Sequence, residues 1–353
     1  MCNCQFPNGF DKTDTHVVIM AGGVGSRFLP LSTPEYTKQF IDILGCGRTL
    51  IQLTFDRFEG VCPPENFWVV TNASYVNIVK QQLPQIPECH ILAEPAARNT
   101  APCIAWACWC IRQENFNANV VVTPADAIVM NQVEFRRVIT NALNFTYQND
   151  SIVTIGIKPS RPETGYGYVE TADVVSGEIM RVNQFKEKPD LETAKKYVKD
   201  GSYLWNAGIF VWNINTIVNS ITKYKPSLAA DMEAILSSKD VDTIFPKCEK
   251  ISIDYAVMEP ASLDGKVYTH SADFGWSYLG NWASLHDKLE KDNNGNASVG
   301  NVSFFECSDC VVHAEDAKRV VLQGLSGYII SIKNGQLLIC DRDSEQSINK
   351  FTK

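Results

Sequence analysis

Short apolar runs alternate with amphipathic stretches through the first 160 residues. The runs at 17–20, 67–71, 91–93, 120–123 and 152–157 predict strands, and the segments 49–58, 74–82, 101–113 and 133–147 between them carry helical spacing. Alternation of this kind predicts a parallel sheet covered on both faces by helices, with ligands held at the carboxyl ends of the strands. The helix that begins near Pro102 has suitable start chemistry, with Asn99 or Thr100 as its cap and a proline in the first turn. From 165 to 210 the pattern changes to strands rich in glycine and aromatic residues, joined to helical stretches at 191–199 and 214–221. This reads as an α+β insertion, about 160–265, that covers the cleft. The polar breaker Asp292-Asn293-Asn294-Gly295-Asn296 predicts a boundary between a domain of residues 1–292 and one of residues 293–353. Beyond it, short strands are predicted at 302–306, 311–313, 319–323, 328–333 and 336–340. So few strands bury little by themselves and call for a partner surface.

Residues able to do chemistry fall at the predicted strand ends: a glycine loop after the first, Glu94 after the third and Asp126 after the fourth. They imply one cleft. The loop, Ala21-Gly22-Gly23-Val24-Gly25-Ser26-Arg27, offers backbone N–H groups with no side chain in the way, a surface on which a phosphate chain can lie. Arg27 and, eleven residues later, Lys38 supply a planar fork and a point charge to neutralise the anion. The loop is not a dinucleotide fingerprint, since Phe28 stands at the third glycine position, and no Gly-Lys-Ser/Thr follows to make a Walker loop. An ordinary strand-to-loop turn is the competing reading. The two cations, with Pro30 and Pro34 holding the segment open, favour phosphate.

Composition narrows the classes. The 353 residues suffice for one large or two modest domains, and 45% hydrophobic with 20% charged residues describes a globular chain. No apolar run approaches the length of a membrane span, and the first fifteen residues lack a secretory pattern. A net charge of −8 argues against nucleic acid or an anionic membrane as principal partner. Of the twelve cysteines, Cys103, Cys108 and Cys110 lie in a predicted helix beside Trp106 and Trp109 and read as small buried hydrophobes. Cys307 and Cys310 form a pair at two-residue spacing without a second pair to complete a zinc site. Reduced thiols and a cytoplasmic location are expected.

The glycine loop, read on through Thr33-Pro34-Glu35-Tyr36-Thr37-Lys38-Gln39-Phe40, resembles the opening motif of the sugar-phosphate nucleotidyltransferases. Further segments continue the likeness in order: Ala93-Glu94-Pro95 with Arg98-Asn99-Thr100-Ala101-Pro102, Tyr166-Gly167-Tyr168-Val169-Glu170, Phe185-Lys186-Glu187-Lys188-Pro189, Trp205-Asn206-Ala207-Gly208-Ile209-Phe210 and Phe274-Gly275-Trp276-Ser277. Together they cover roughly residues 15–290, and within the family they are most similar to the mannose-1-phosphate guanylyltransferases. The resemblance implies an α/β fold, a Rossmann-like and mainly parallel sheet followed by a small left-handed β-helix-like domain. It implies that GTP and mannose 1-phosphate give GDP-mannose and pyrophosphate, with Mg²⁺ as cofactor. Arg27, Lys38 and Asp126 are then the catalytic group, Asp126 also being the metal ligand. Ala21, Gly22, Gly23, Gly25, Ser26, Glu94, Asn99 and Thr100 serve the nucleotide, while Gly167, Glu170, Lys188 and Asn206 serve the sugar phosphate. The tail implies a homodimer.

The chain departs from the pattern at the metal. Where the family reads Pro-Ser-Asp-His this sequence has Pro124-Ala125-Asp126-Ala127, and where the family reads Gly-Trp-Ser-Asp it has Gly275-Trp276-Ser277-Tyr278. The second carboxylate is missing, and a phenol is a poor ligand for a hard cation. Metal riding in on the triphosphate, or Asp273 as a substitute, are the ways left to complete the site. Two classes stay open: an active guanylyltransferase impaired at Tyr278, and a non-catalytic nucleotide-sugar-binding regulator of the same fold.

Overall fold

Alternate residues of the first strand serve opposite layers, which is what a period of two demands of a central strand. Val17 and Ile19 pack with Phe135, Val138 and Ile139, whereas Val18 packs with Ile104, Trp109 and Val122. The computed structural model describes residues 11–23 and 28–352. Gly25, Ser26 and Arg27 of the predicted phosphate loop lie outside the described residues.

Strands β1 (Thr15–Met20), β2 (Phe67–Asn72), β3 (Ile91–Glu94) and β4 (Asn119–Pro124) are parallel. A short β5 (Ala127–Ile128) follows, then β6 (Ile152–Ile157), the hairpin of β7 (Tyr168–Ser176) and β8 (Ile179–Lys186), β9 (Tyr203–Asn213) and β10 (Val267–Ala272). Among the described residues they form a nine-stranded sheet in the order β3-β2-β1-β4-β9-β6-β10-β8-β7, β5 standing apart. The helices Thr100–Glu114, Ile214–Tyr224 and Pro226–Ser238 cover one face, and Gln132–Gln148 packs on the other.

The sheet is thus α/β and mainly parallel, as expected, with β9 running antiparallel between β4 and β6. The chain leaves β6 at the carboxyl edge, builds the β7–β8 hairpin and returns from that same edge. Its re-entry therefore has to run the opposite way. The consequence for function is direct: the first half of β9, carrying Asn206, lies at the edge where β1, β3 and β4 end.

The carboxyl-terminal strands are Ala297–Val299, Val302–Phe305, Val311–His313, Val320–Gln323, Tyr328–Lys333 and Gln336–Asp341. The first five wind as a three-sided parallel coil, Val302 lying opposite Val320, Ser308 opposite Ser326 and Val311 opposite Ile329, each pair eighteen residues apart, and Gln336–Asp341 folds back antiparallel on Tyr328–Lys333. The preceding step, Ala297 to Val311, spans only fourteen, so no fixed repeat is visible in the sequence. The coil finds part of its partner surface within the chain. Val311, Ile329, Cys340 and Ile348 share a core with Phe28, Ile41, Leu50 and Trp282. Among the described residues no helix is long and apolar enough to cross a membrane.

Candidate active site

The carboxyl edge of the sheet borders a cleft of about 670 Å³. Ala21, Gly22, Gly23 and Glu94 are not among its lining residues; the start of the predicted glycine loop is pinned by backbone and side chain together. Ala21 N–H donates to Val70 O (2.8 Å), and Ala21 O accepts from Thr71 Oγ1 and Gln39 Nε2, both at 2.9 Å. Gln39 Nε2 also donates to Gly23 O at 3.1 Å. Gly22 lies close to the end of β3, since a Cβ there would stand 3.1 Å from Glu94 Oε2 and require the carboxylate to give way slightly. Burial at the end of β3 raises the Glu94 carboxyl to about 7.

Asn99 adopts φ 68° and accepts from Thr100 N–H at 2.8 Å, capping the helix Thr100–Glu114. Thr100 lines the cleft, and its hydroxyl accepts from Ile253 N–H at 2.9 Å. That contact ties the cap to the turn carrying Asp254.

The sugar-phosphate candidates separate. Gly167, Lys188 and Asn206 meet in the cleft. Glu170 is not brought there; it stands beside Tyr197 and Tyr203, whose phenols its charge helps to raise after burial has done most. A Cβ at Gly167 would come 2.6 Å from Glu187 Oε2, so a larger residue there would push the Glu187 carboxylate aside. Lys188 sits at φ 44°, a left-handed conformation that a lysine before proline rarely adopts, and its Nζ lies 2.5 Å from Glu187 Oε1. Burial pulls the Lys188 amine down, but Glu187 and Asp254 outweigh it and hold the pKa above the usual lysine value.

Two acidic wall residues, Glu187 and Asp254, were not singled out by sequence pattern. Asp254 opens a π-helical turn and accepts from Asn206 Nδ2 at 3.2 Å. Burial first and Glu187 second raise its carboxyl to about 7. A signal did exist: an aspartate inside the largely apolar run Ile251-Ser252-Ile253-Asp254-Tyr255-Ala256-Val257-Met258 is half-buried with its helix and needs a reason to be there. The Asn206 amide is held at both ends, its Oδ1 accepting from Thr154 Oγ1 (2.7 Å) and Gly208 N–H (3.0 Å).

Asp126 lines the cleft just beyond β4, and its surroundings are cationic. Lys38 Nζ lies 2.9 Å from Asp126 Oδ2, donates to Leu279 O at 2.6 Å and stands 4.3 Å from the centre of the Tyr278 ring. Burial disfavours the Lys38 ammonium, but Asp126 and Tyr278 more than offset this and raise its pKa. Beneath the loop, the buried Arg57 guanidinium donates to Pro124 O and Ala127 O, and burial lowers it to about 9. Lys38 is therefore a buried partner of Asp126, with only 5% of its side chain exposed.

A two-carboxylate Mg²⁺ site does not fit this donor set. Asp126 has one oxygen committed to Lys38, Ala125 and Ala127 offer no side-chain ligand, and residue 278 brings a phenol. Asp273, the conceivable substitute, is exposed and outside the cleft lining. No cluster of three or more His, Cys, Asp or Glu able to hold a metal occurs among the described residues.

Residues 16–295 match the family model described as nucleotidyl transferase. The chain is 35% identical over 356 residues to mannose-1-phosphate guanylyltransferase of Escherichia coli K12, an alignment covering 96% of this chain and 73% of that protein. It is 34% identical over 346 residues to mannose-1-phosphate guanylyltransferase RfbM of Salmonella typhimurium, covering 95% and 71%. Among solved structures it superposes on a Thermus thermophilus protein described as a mannose-1-phosphate geranyltransferase. The TM-score is 0.87 at 28% identity, over 96% of this chain and 98% of that one.

Proposed function

Because the chain belongs to the mannose-1-phosphate guanylyltransferases of the nucleotidyl transferase family, we propose that it converts GTP and mannose 1-phosphate into GDP-mannose and pyrophosphate. A phosphate oxygen of mannose 1-phosphate forms a bond to the α-phosphorus of GTP. The bond from that phosphorus to the bridging oxygen of the β-phosphate breaks, and pyrophosphate leaves with the electron pair. The nucleophile is already an anion, so no general base is needed; positioning and charge neutralisation carry the rate.

The observation that carries this reading is the meeting of Asp126, Gly167, Lys188 and Asn206 in one cleft, at the edge from which the glycine loop departs. Ala21, Gly22 and Gly23, with Glu94, serve the nucleotide side, and Gly25, Ser26 and Arg27 extend the phosphate loop. Thr100 joins the two halves, and Asn99 acts as its helix cap. Lys188 takes the sugar phosphate. Asn206 and Asp254, fixed against each other, face the hexose hydroxyls. Glu170 acts behind the wall, through the Tyr197 and Tyr203 phenols.

Incubation with GTP and mannose 1-phosphate should release pyrophosphate and GDP-mannose in equal amounts. Neither product forming under any divalent-ion condition would refute the transfer and favour the binding-only reading. The catalytic reading is preferred because the relatives are named as enzymes.

The carboxyl-terminal coil is proposed to join two copies into a homodimer. Support comes from Phe305, Val321, Leu337 and Ile339, each more than half exposed on its strands. Sedimentation of the full chain should give a dimer, and a monomer at micromolar concentration would remove the proposal.

A further inference from the structure

Position 278 is held beside Asp126 by the backbone. Tyr278 lies opposite Ala127 in an antiparallel pair of two-residue strands, and Leu279 N–H donates to Asp126 O at 3.2 Å. Whatever side chain stands at 278 therefore shares the Asp126 environment. The ring is not loose. Tyr166 meets it edge-on at 6.2 Å, and Tyr166 in turn packs on Trp276 at 5.4 Å and Trp205 at 5.3 Å. On its other side Gly280 leaves room, since a Cβ there would come 2.7 Å from the ring.

We propose that in this chain a fixed protein cation, the Lys38 ammonium held by Asp126, the Leu279 carbonyl and the Tyr278 ring, replaces the carboxylate-bound divalent ion expected at this position. Three observations support it. Lys38 already satisfies one oxygen of Asp126, at 2.9 Å and almost wholly out of water. The Tyr278 face stabilises a cation but gives no anionic oxygen to a metal. The second buried cation, Arg57, sits under the same loop and is coupled to Asp126 through its charge, so a divalent ion would face two positive groups and one carboxylate. Asp126 and Lys38 then act as a neutral, preorganised pair. The charge of the reacting phosphates is met by protein side chains and not by a metal anchored to the protein.

The consequence for turnover rests on the proposed transfer reaction, but metal binding is measured without substrate, so the two ideas fail separately. The probe is Mn²⁺ alone, which accepts similar oxygen ligands, followed by electron paramagnetic resonance of the free ion. The substrate-free protein should show no saturable site that depends on Asp126, giving identical curves for wild type and Asp126→Asn. Tyr278→Asp restores a second carboxylate and should tighten Mn²⁺ binding at least about tenfold, while Tyr278→Phe should leave it unchanged. A saturable wild-type site lost in Asp126→Asn overturns the inference, and this comparison decides the matter even if Tyr278→Asp does not fold. A folded Tyr278→Asp protein that gains no site overturns it equally, because Tyr278 would not then be what excludes the ion. A wild type that lacks the site and makes GDP-mannose supports both ideas; one that lacks it and is inactive supports this inference alone.

Discussion

Lys188→Ala separates what a residue does for the fold from what it does for substrate. Lys188 is 60% exposed at its side chain and pairs with Glu187 at 2.5 Å. The Glu187 side chain is only 7% exposed, however, so removing the amine leaves a nearly buried carboxylate unpaired at a cost of about 1–3 kcal/mol, and the variant should stay folded while melting a few degrees lower. The cleft tells a different story. Lys188 faces two acids, Glu187 and the half-buried Asp254, and is proposed to receive a sugar phosphate beside them. Removing it deletes a charge-assisted hydrogen bond, about 2–3 kcal/mol, and leaves those acids facing the incoming anion uncompensated. At 1.36 kcal/mol per decade this is a fall of about 30- to 150-fold in kcat/KM for mannose 1-phosphate. Initial rates at saturating GTP measure it, and equilibrium titration of GTP gives the control. GTP affinity should change little, because the triphosphate is proposed to lie on the glycine loop, a segment apart from Glu187-Lys188-Pro189. Equal losses for both substrates would show that Lys188 is misassigned. A large drop in melting temperature would show that its left-handed backbone supports the fold instead.

Asn206→Ala removes hydrogen bonds to Thr154, Gly208 and Asp254 and should cost about 2–4 kcal/mol in urea unfolding, the buried Thr154 contact being the largest share; a loss below about 1 kcal/mol would mean that water replaces the network. Stability should also depend on pH through Asp254, whose folded pKa of about 7 lies above the ordinary 3.8. The folded state then holds the extra proton between these values, so this contribution is complete in acid and is lost as pH rises through about 7. Asp254→Asn should therefore gain stability relative to wild type between pH 5 and pH 8, and a constant difference across that range would show that the carboxyl is not held protonated. Arg27→Ala should leave melting unchanged and cripple turnover, since its charge is proposed to meet the departing pyrophosphate; near-normal turnover would remove it from the mechanism.

Much of the architecture was legible along the chain because its causes are local. Val17, Val18 and Ile19 must face opposite layers of a doubly covered sheet, so an unbroken apolar run announces a central strand. The helix at Thr100–Glu114 declared itself through its cap and first-turn proline. The edge that gathers Glu94 and Asp126 followed from parallel strands alone, since all of them end on the same side. Other features have no local period to read. Nothing near Asn206 says that β9 runs backwards between β4 and β6; that follows from where the inserted hairpin leaves the chain. Asp254 reaches Asn206 across 48 residues, and Lys38 reaches Leu279 across 241. The sequence showed that an aspartate had become Tyr278. Only the tertiary structure decided what the change means, because the partners of Asp126 depend on which cations the fold buries against it.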